Sequence, residues 1–442
     1  MMHCVAMRYC KEIFSGVFLV MALLLLPGQV QANGDDYIAI RKEGSGKIAL
    51  VLSKPAASGG KESGWAERLD VESRSGLDFT GLFSLIPPPL NVAGPRGSSS
   101  QSINFGALNS VGAEFYAGGA VVQKSGNVVL SMEVYDTLGG RPILRKTYTG
   151  KESDLRSIAH AFCADLVELL TGRPSVFGSK VVFVSNRSGF KEIYMCDYDG
   201  HGMRQMTNTR SLALTPVLSP DGQHLAYTDY ASGRPRLSIL DLAGGKRRSV
   251  ARSGNSIDPG WRSNAEVATT LSFQGDQEIY LVRPDGSLAR RVTNSRGIDL
   301  SPSFSPDGNK MAFVSSRTSA PQIFILDLQT GQTKRLTYNG SYNTQPSWSP
   351  QGDKIAYSTM EKNGEINIFT INTDGSSLRQ LTSGSRQNES PSWSPGGDMI
   401  VFTSSRQGQK KLFVMNAAGG GQRRLLQLEG EQMQPSWSLR LK

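Results

Sequence analysis

Pro302-Ser303-Phe304-Ser305-Pro306-Asp307-Gly308 is one copy of a motif that returns along the rest of the chain. It is met as Pro216-Val217-Leu218-Ser219-Pro220-Asp221-Gly222, as Pro346-Ser347-Trp348-Ser349-Pro350-Gln351-Gly352, and as Pro391-Ser392-Trp393-Ser394-Pro395-Gly396-Gly397. Pro435-Ser436-Trp437-Ser438 is a last partial copy, and Pro259-Gly260-Trp261-Arg262-Ser263-Asn264 a degenerate one. The leading prolines lie 43, 43, 44, 45 and 44 residues apart.

Each copy is followed by an apolar run such as Met311–Ser315, an alternating run such as Gln322–Asp327 and a short third run such as Lys334–Thr337. Four short strands in a unit of about 44 residues define a propeller blade. The aromatic before each Ser-Pro alternates with serine, so it points to one sheet face and is expected to pack between blades. Pro-Asp-Gly then sets φ near −65° and allows a positive φ, which reverses the chain tightly.

Six second strands are present: Val181–Ser185, Leu225–Thr228, Val267–Thr270, Met311–Ser315, Ile355–Ser358 and Ile400–Thr403. The first has no proline-aromatic strand before it, and Pro435–Ser438 has nothing after it. The count balances if the C-terminal strand completes the first blade, which closes the ring and removes both bare edges. The expected fold is therefore mixed: an N-terminal α/β domain over residues 33–175 and a six-bladed propeller over 176–442.

The N-terminal part lacks the repeat. Strands are expected at Tyr37–Ile40, Ile48–Leu52, Glu114–Val122, Val128–Tyr135 and Pro142–Tyr148, and a loop at the Gly/Ser-rich Ala93–Ser102. Leu155, Ile158, Ala159, Phe162, Leu166, Val167 and Leu170 recur at helical spacing, with Ser153 placed to cap the start and Gly172 the end. A second helix is expected around Ala66–Arg74.

Residues 1–32 read as an export signal: Arg8 and Lys11, then the apolar run Phe18–Leu26, then Val30-Gln31-Ala32. The mature chain is expected to begin near Asn33, soluble and outside the cytoplasm, with its net charge reduced from +10 to +9 by loss of Arg8, Lys11 and Glu12. Cys163 and Cys196 are then its only cysteines. Lys and Arg are spread without a run of five, which argues against nucleic acid.

An export signal, an α/β domain and PSWSPDG-type blades together resemble the TolB family of the Tol–Pal envelope system. Asn109-Ser110-Val111-Gly112-Ala113-Glu114, Tyr135-Asp136-Thr137-Leu138-Gly139-Gly140 and Leu170-Thr171-Gly172 share in the likeness, which spans nearly the whole mature chain. The resemblance implies a periplasmic monomer that binds the lipoprotein Pal at one propeller mouth and TolA through the mature N-terminus. It implies a role in envelope integrity and in constriction at division. The N-terminal segment would be Asp35, Asp36, Tyr37, Ile38, Ala39 and Ile40.

Catalysis is not expected. Propeller peptidases add a hydrolase domain with a G-x-S-x-G turn, which is missing here, and the mature histidines are only His160, His201 and His224. Gly44-Ser45-Gly46-Lys47 lacks the flanking residues of a phosphate loop, and Asp197-Tyr198-Asp199-Gly200 sits where other blades have a hairpin turn. No cofactor or metal is expected. A glycan- or peptidoglycan-binding propeller and, less well supported, a propeller hydrolase are the alternatives.

In an up-and-down blade, alternate connections emerge on alternate faces. The SPDG turns and Asp-Gly turns share one face, while the loops between second and third strands share the other with the blade-to-blade loops. The latter vary and are the expected recognition surface. Its candidates are Asn255, Ile257, Asp258, Arg296, Ile298, Asp299, Leu300, Tyr342, Asn343, Thr344, Arg386, Asn388, Glu389 and Met433.

Overall fold

In the computed structural model, which describes residues 46–92, 103–250, 255–272 and 277–439, the proline-led segments are the innermost strands of six four-stranded antiparallel sheets. These inner strands are Ala213–Leu218, Asn255–Ser263, Asp299–Phe304, Tyr342–Trp348, Asn388–Trp393 and Gln432–Trp437. Each packs against the next around a central channel. The ring closes as the repeat count requires: Gln432–Trp437 pairs antiparallel with Lys180–Ser185, with Trp437 opposite Val181. Blade 1 thus combines the start and the end of the ring. Blades 2 to 6 begin at Ala213, Asn255, Asp299, Tyr342 and Asn388.

The motif residues do what their chemistry demands. Trp261, Trp348, Trp393 and Trp437 are buried. Trp348 fills the seam between blades 4 and 5 with Val314, Leu336 and Tyr357, and Trp393 the next seam with Ile368 and Phe402. Burying each ring stabilises the ring by about 2–3 kcal/mol. Trp261 and Trp393 also donate their indole N–H to the carbonyls of Val217 and Ser347 on the preceding blade, both at 3.1 Å. Gly308 turns the motif with φ 67°, and its amide reaches back to the Ser305 carbonyl at 2.8 Å.

One feature of the motif was not expected. The residue before every anchor proline has a positive φ: Thr215 (50°), Asp258 (52°), Ser301 (54°), Gln345 (54°), Ser390 (55°) and Gln434 (51°). A non-glycine residue before proline disfavours this region, so each position stores strain of order 1 kcal/mol or more. The strain coincides with a register shift in each inner strand, the mark of a β-bulge. The bulged residues line the channel and bridge seams. Gln434 Oε1 accepts from the Thr215 amide at 3.0 Å, Asp258 Oδ2 from Ser301 Oγ at 2.8 Å, and Gln345 Oε1 from the Ser390 amide at 2.9 Å.

The N-terminal region is a five-stranded sheet, ordered β2 (Phe83–Ile86), β1 (Ile48–Leu52), β3 (Phe115–Lys124), β4 (Asn127–Asp136) and β5 (Arg141–Gly150). β1 is parallel to β2 and β3, and the remaining pairs are antiparallel. α1 (Lys61–Thr80) and α3 (Leu155–Thr171) cover one face, while α2 (Phe105–Ser110) packs Leu108 against Val51, Tyr116 and Tyr135 on the other. α1 is longer than its apolar pattern suggests, and β2 and α2 were not legible at all. α3 ends at Gly172 in the left-handed region (φ 67°), as expected. Its start differs: Ser153 lies inside a short turn of 3-10 helix, Glu152–Asp154, and Asp154 is the cap residue. Residues 1–32, the segment Asp35–Ile40, Gly44, Ser45 and the loop Ala93–Ser102 lie outside the described residues.

Apolar packing runs unbroken from α1 and α3 into blades 1 and 6, through Leu77, Phe177, Phe183, Met399, Val414 and Trp437. Gly76 makes this approach possible, since a Cβ there would sit 2.7 Å from Phe177 Cε1. Arg156 of α3 bridges Glu72 of α1 (2.7 Å) and Asp199 of blade 1 (2.5 Å). Asp197-Tyr198-Asp199-Gly200 is the hairpin turn expected, and its Tyr198 ring meets Phe79 and Phe177, each at 5.2 Å between centroids.

Candidate functional site

The contacts of the described α/β region with the ring at Tyr198, Asp199, Gly396 and Arg423 fall on one face. Tyr198 and Asp199 belong to an Asp-Gly turn, Gly396 to an SPDG-type turn against the Pro174 carbonyl, and Arg423 of blade 6 stacks on Phe79 with its guanidinium 4.5 Å from the ring centre. Strand direction puts all of these at the turn face. The face of variable loops is not covered by the described part of the α/β region, and it surrounds one mouth of a channel of about 990 Å³.

Five of the fourteen propeller candidates are exposed on that face: Asn255, Arg296, Ile298, Tyr342 and Arg386. Ile257, Leu300, Thr344 and Glu389 are half-buried, Glu389 being paired with Lys410. Asp258 lines the channel, as Leu300, Tyr342, Thr344 and Glu389 do, and there burial pushes its carboxyl above the usual range while the Ser301 hydroxyl pulls the other way.

Asp299, Asn343, Asn388 and Met433 do not belong on the exposed surface. The first three are 0% exposed and Met433 is 7% exposed. Asp299 and Asn388 are the first residues of their inner strands and Asn343 and Met433 the second. Asn343 Nδ2 donates to Gln322 Oε1 (2.8 Å) and to the Asn339 carbonyl (2.7 Å), and its Oδ1 accepts from Thr359 Oγ1 (2.8 Å). Asn388 repeats this one blade on, donating to Asn367 Oδ1 at 3.0 Å and accepting from Ser404 Oγ at 2.8 Å. Asp299 takes Arg317 at 2.9 Å, and burial raises its carboxyl against that pairing. Asp299, Asn343 and Asn388 thereby tie down the loop roots.

A threonine repeats the same logic from the outer strand. Thr207, Thr293, Thr337 and Thr382 accept from the amides of Ile193, Ile279, Ile323 and Ile368 at 2.8–2.9 Å. Each donates onward to Glu192, Glu278, Gln322 or Asn367. Four of the blade-to-blade loops thus leave a hydrogen-bonded root, which lowers the ordering cost of their tips at binding.

Sequence reasoning passed over several exposed groups on the same face. Tyr338 is 70% exposed and carries Arg335 stacked 4.7 Å from its ring centre. Met360 stands opposite Tyr342 in the strand register, so the two form a lip at the channel mouth. Phe190 and Leu212 add apolar area at blades 1 and 2. Tyr338 lay within a loop already chosen for its variability. The others lie outside the loops from which candidates were drawn.

The fold and this face define a class: a six-bladed β-propeller after a small α/β region, which packs on one face and, among the described residues, leaves the other open. The chain belongs to the TolB family, since the model of the TolB β-propeller domain matches residues 167–441. It is 68% identical over 433 residues to the "Protein TolB homolog" of Chlorobium luteolum, covering 98% of this chain and 99% of that one. It is 41% identical over 288 residues to the "Tol-Pal system protein TolB" of Desulfosudis oleivorans, covering 63% and 65%. Among solved structures, TolB from Acinetobacter baumannii shares the fold at TM-score 0.77 and 23% identity, over 89% of this chain and 97% of that one.

Proposed function

We propose that this protein is a periplasmic binding component of a Tol–Pal system, taking Pal on the open propeller face and TolA at Asp35–Ile40. It acts as a monomer and carries out no chemistry of its own, linking the two partners in support of envelope integrity and constriction at division. The observation that carries the reading is the division of labour between faces. The α/β region occupies the turn face, and the opposite face offers exposed Tyr338, Tyr342, Ile298, Arg296 and Arg386 on rigid loop roots. Tyrosine and arginine are the usual anchors of protein interfaces.

Calorimetry with purified Pal tests this. Arg296→Glu and Tyr342→Ala should each weaken binding at least tenfold while leaving the melting temperature unchanged. Unchanged affinity in both, with loss of binding on altering the SPDG turns, assigns Pal to the wrong face. The exposed tyrosines also suit a sugar platform, so a pull-down on peptidoglycan with and without Pal belongs in the same experiment. Retention without Pal would favour the glycan reading.

A further inference from the structure

We propose that the partner surface received by the open face is acidic, contributed by a folded protein domain. This rests on the reading that the open face is the binding face, and it adds the chemistry of what binds there.

The outermost tier of that face is cationic. Arg187, Arg210, Arg234, Arg296, Lys362 and Arg386 are exposed around the rim, and among the described residues none of them forms an ion pair. Glu429 is the one exposed carboxylate among the described loops of this face. Four carboxylates have been turned inward, while Asp258, Glu361, Glu365, Glu389 and Glu431 are half-buried. Glu192, Asp229, Glu278 and Asp299 are 1%, 6%, 2% and 0% exposed, and each is spent on the loop roots. Glu192 accepts from Thr209 and from the Arg210 amide, Asp229 and Asp299 take Arg247 and Arg317, and Glu278 takes Arg291. The half-buried Glu389 is paired with Lys410, and Glu361 with the Gln380 amide. The most buried carboxylates of this face therefore lie beneath it, bonded at the loop roots, whereas six cations stand outside it with no ion pair among the described residues.

Exposed charges on a rim act over roughly one Debye length, about 8 Å at physiological ionic strength, and govern encounter rate and orientation. The cations are spaced around a mouth whose lip is apolar, at Tyr342 and Met360, and they never form a contiguous run. A polyanion such as a phosphate polymer is best held by a continuous basic stripe. Separated cations around an apolar centre fit a folded acidic surface that seats an apolar group at the middle.

The test uses the full mature protein and Pal in stopped-flow binding across a salt series, with Arg187→Glu/Arg386→Glu as the charge-reversed variant and Lys246→Glu, on the turn face, as control. The expected result is an association rate that falls at least tenfold between about 50 and 500 mM salt. The double variant should bind at least tenfold more weakly at low salt, with a flatter salt slope and an unchanged melting temperature, while the control behaves as the parent. If Pal binds the parent and the double variant alike, with no salt slope, the acidic-partner proposal is wrong although the open face still binds. If Pal does not bind the parent at all, the proposal falls together with the reading beneath it. Long-chain polyphosphate is the competing probe: tight capture that is lost in the double variant, with Pal binding unaffected, would assign the rim to a polyanion.

Discussion

Trp437, at the end of the last inner strand, donates its indole N–H to the Ser179 hydroxyl at 2.9 Å, across 258 residues of chain. Its backbone amide also donates to Ser392 Oγ of blade 6 at 2.9 Å, as the Trp348 amide donates to Ser303 Oγ two repeats earlier. The C-terminal strand is thus bonded to blade 6 through its amide, as the internal blades are, while its indole bonds the Ser179 hydroxyl at the start of the ring in place of the backbone carbonyl that Trp393 uses.

Trp437→Ala should therefore cost on the order of 3–5 kcal/mol, because it removes a buried ring and a bond at the ring's only non-covalent joint. Thermal melts would show a clearly lowered transition. Ser179→Ala, which leaves the indole N–H buried and unpaired, should cost about 1–3 kcal/mol. A melt of the tryptophan variant matching the parent would show that closure does not depend on this seam.

Gly76 of α1 packs against Phe177 and Tyr198. Gly76→Val places branched atoms against Phe177 and Tyr198, and overpacking of this kind costs about 1–3 kcal/mol. Protease cleavage between Gly172 and Gly178 should accelerate, while the propeller fragment keeps its own melting transition.

His160 sits between Phe177 and Tyr198, its Nε2 3.2 Å from the Tyr198 hydroxyl. Burial, with the nearby Arg156 charge adding to it, pulls the imidazole down to about 4, from an ordinary value of 6.5; Asp199, Glu72 and Asp197 oppose the shift. The unfolded chain binds this proton more readily, so the contribution to stability is complete above about pH 6.5 and is lost as pH falls towards 4. Melting temperature should drop through that window. His160→Gln should flatten the drop by no more than about 3 kcal/mol near pH 4. An identical pH profile in the variant would remove His160 as the cause.

Cys163 and Cys196 are both free and buried, one in α3 and the other in a strand of blade 1. Burial pushes the Cys163 thiol up to about 12 and raises that of Cys196 as well. A thiol reagent at pH 8 should find neither in the native protein and both after denaturation, because only the thiolate reacts. Two thiols labelled without denaturant would contradict the burial, and none after it would reveal a disulfide.

Asn343→Leu separates loop roots from loop tips. It strands Gln322 and Thr359 without their partner, so it should lower stability by about 1–3 kcal/mol. Tyr342→Ala, the exposed neighbour, should leave stability within about 0.5 kcal/mol. Equal melting shifts for the two would mean that the inner-strand openings are not the rigid roots described above.

The propeller was legible because its signal is periodic and local. A proline, an alternating aromatic and a Ser-Pro-Asp-Gly turn fix strand, face and reversal within seven residues, and counting them decides the number of blades and the closing strand. The face assignment was legible too, since strand alternation dictates which connections share an end. The choice of contact residues was only partly so. Asn343 and Tyr342 are adjacent polar-tipped residues in the same variable loop, yet one is buried and the other exposed. What separates them is the strand pleat together with a bulge at the next proline, and the bulge depends on a positive φ that nothing in the residue types Thr, Asp, Ser, Gln, Ser and Gln announces.

By itself the sequence determined the blade, the number of blades and the strand that closes them, because each of these is set by short-range pattern and by the need to cover bare sheet edges. Only the tertiary structure decided which face the α/β region covers and which carboxylates turn inward. Those outcomes depend on contacts between residues hundreds of positions apart, such as Arg423 with Phe79, where packing and burial rather than local preference set the energy.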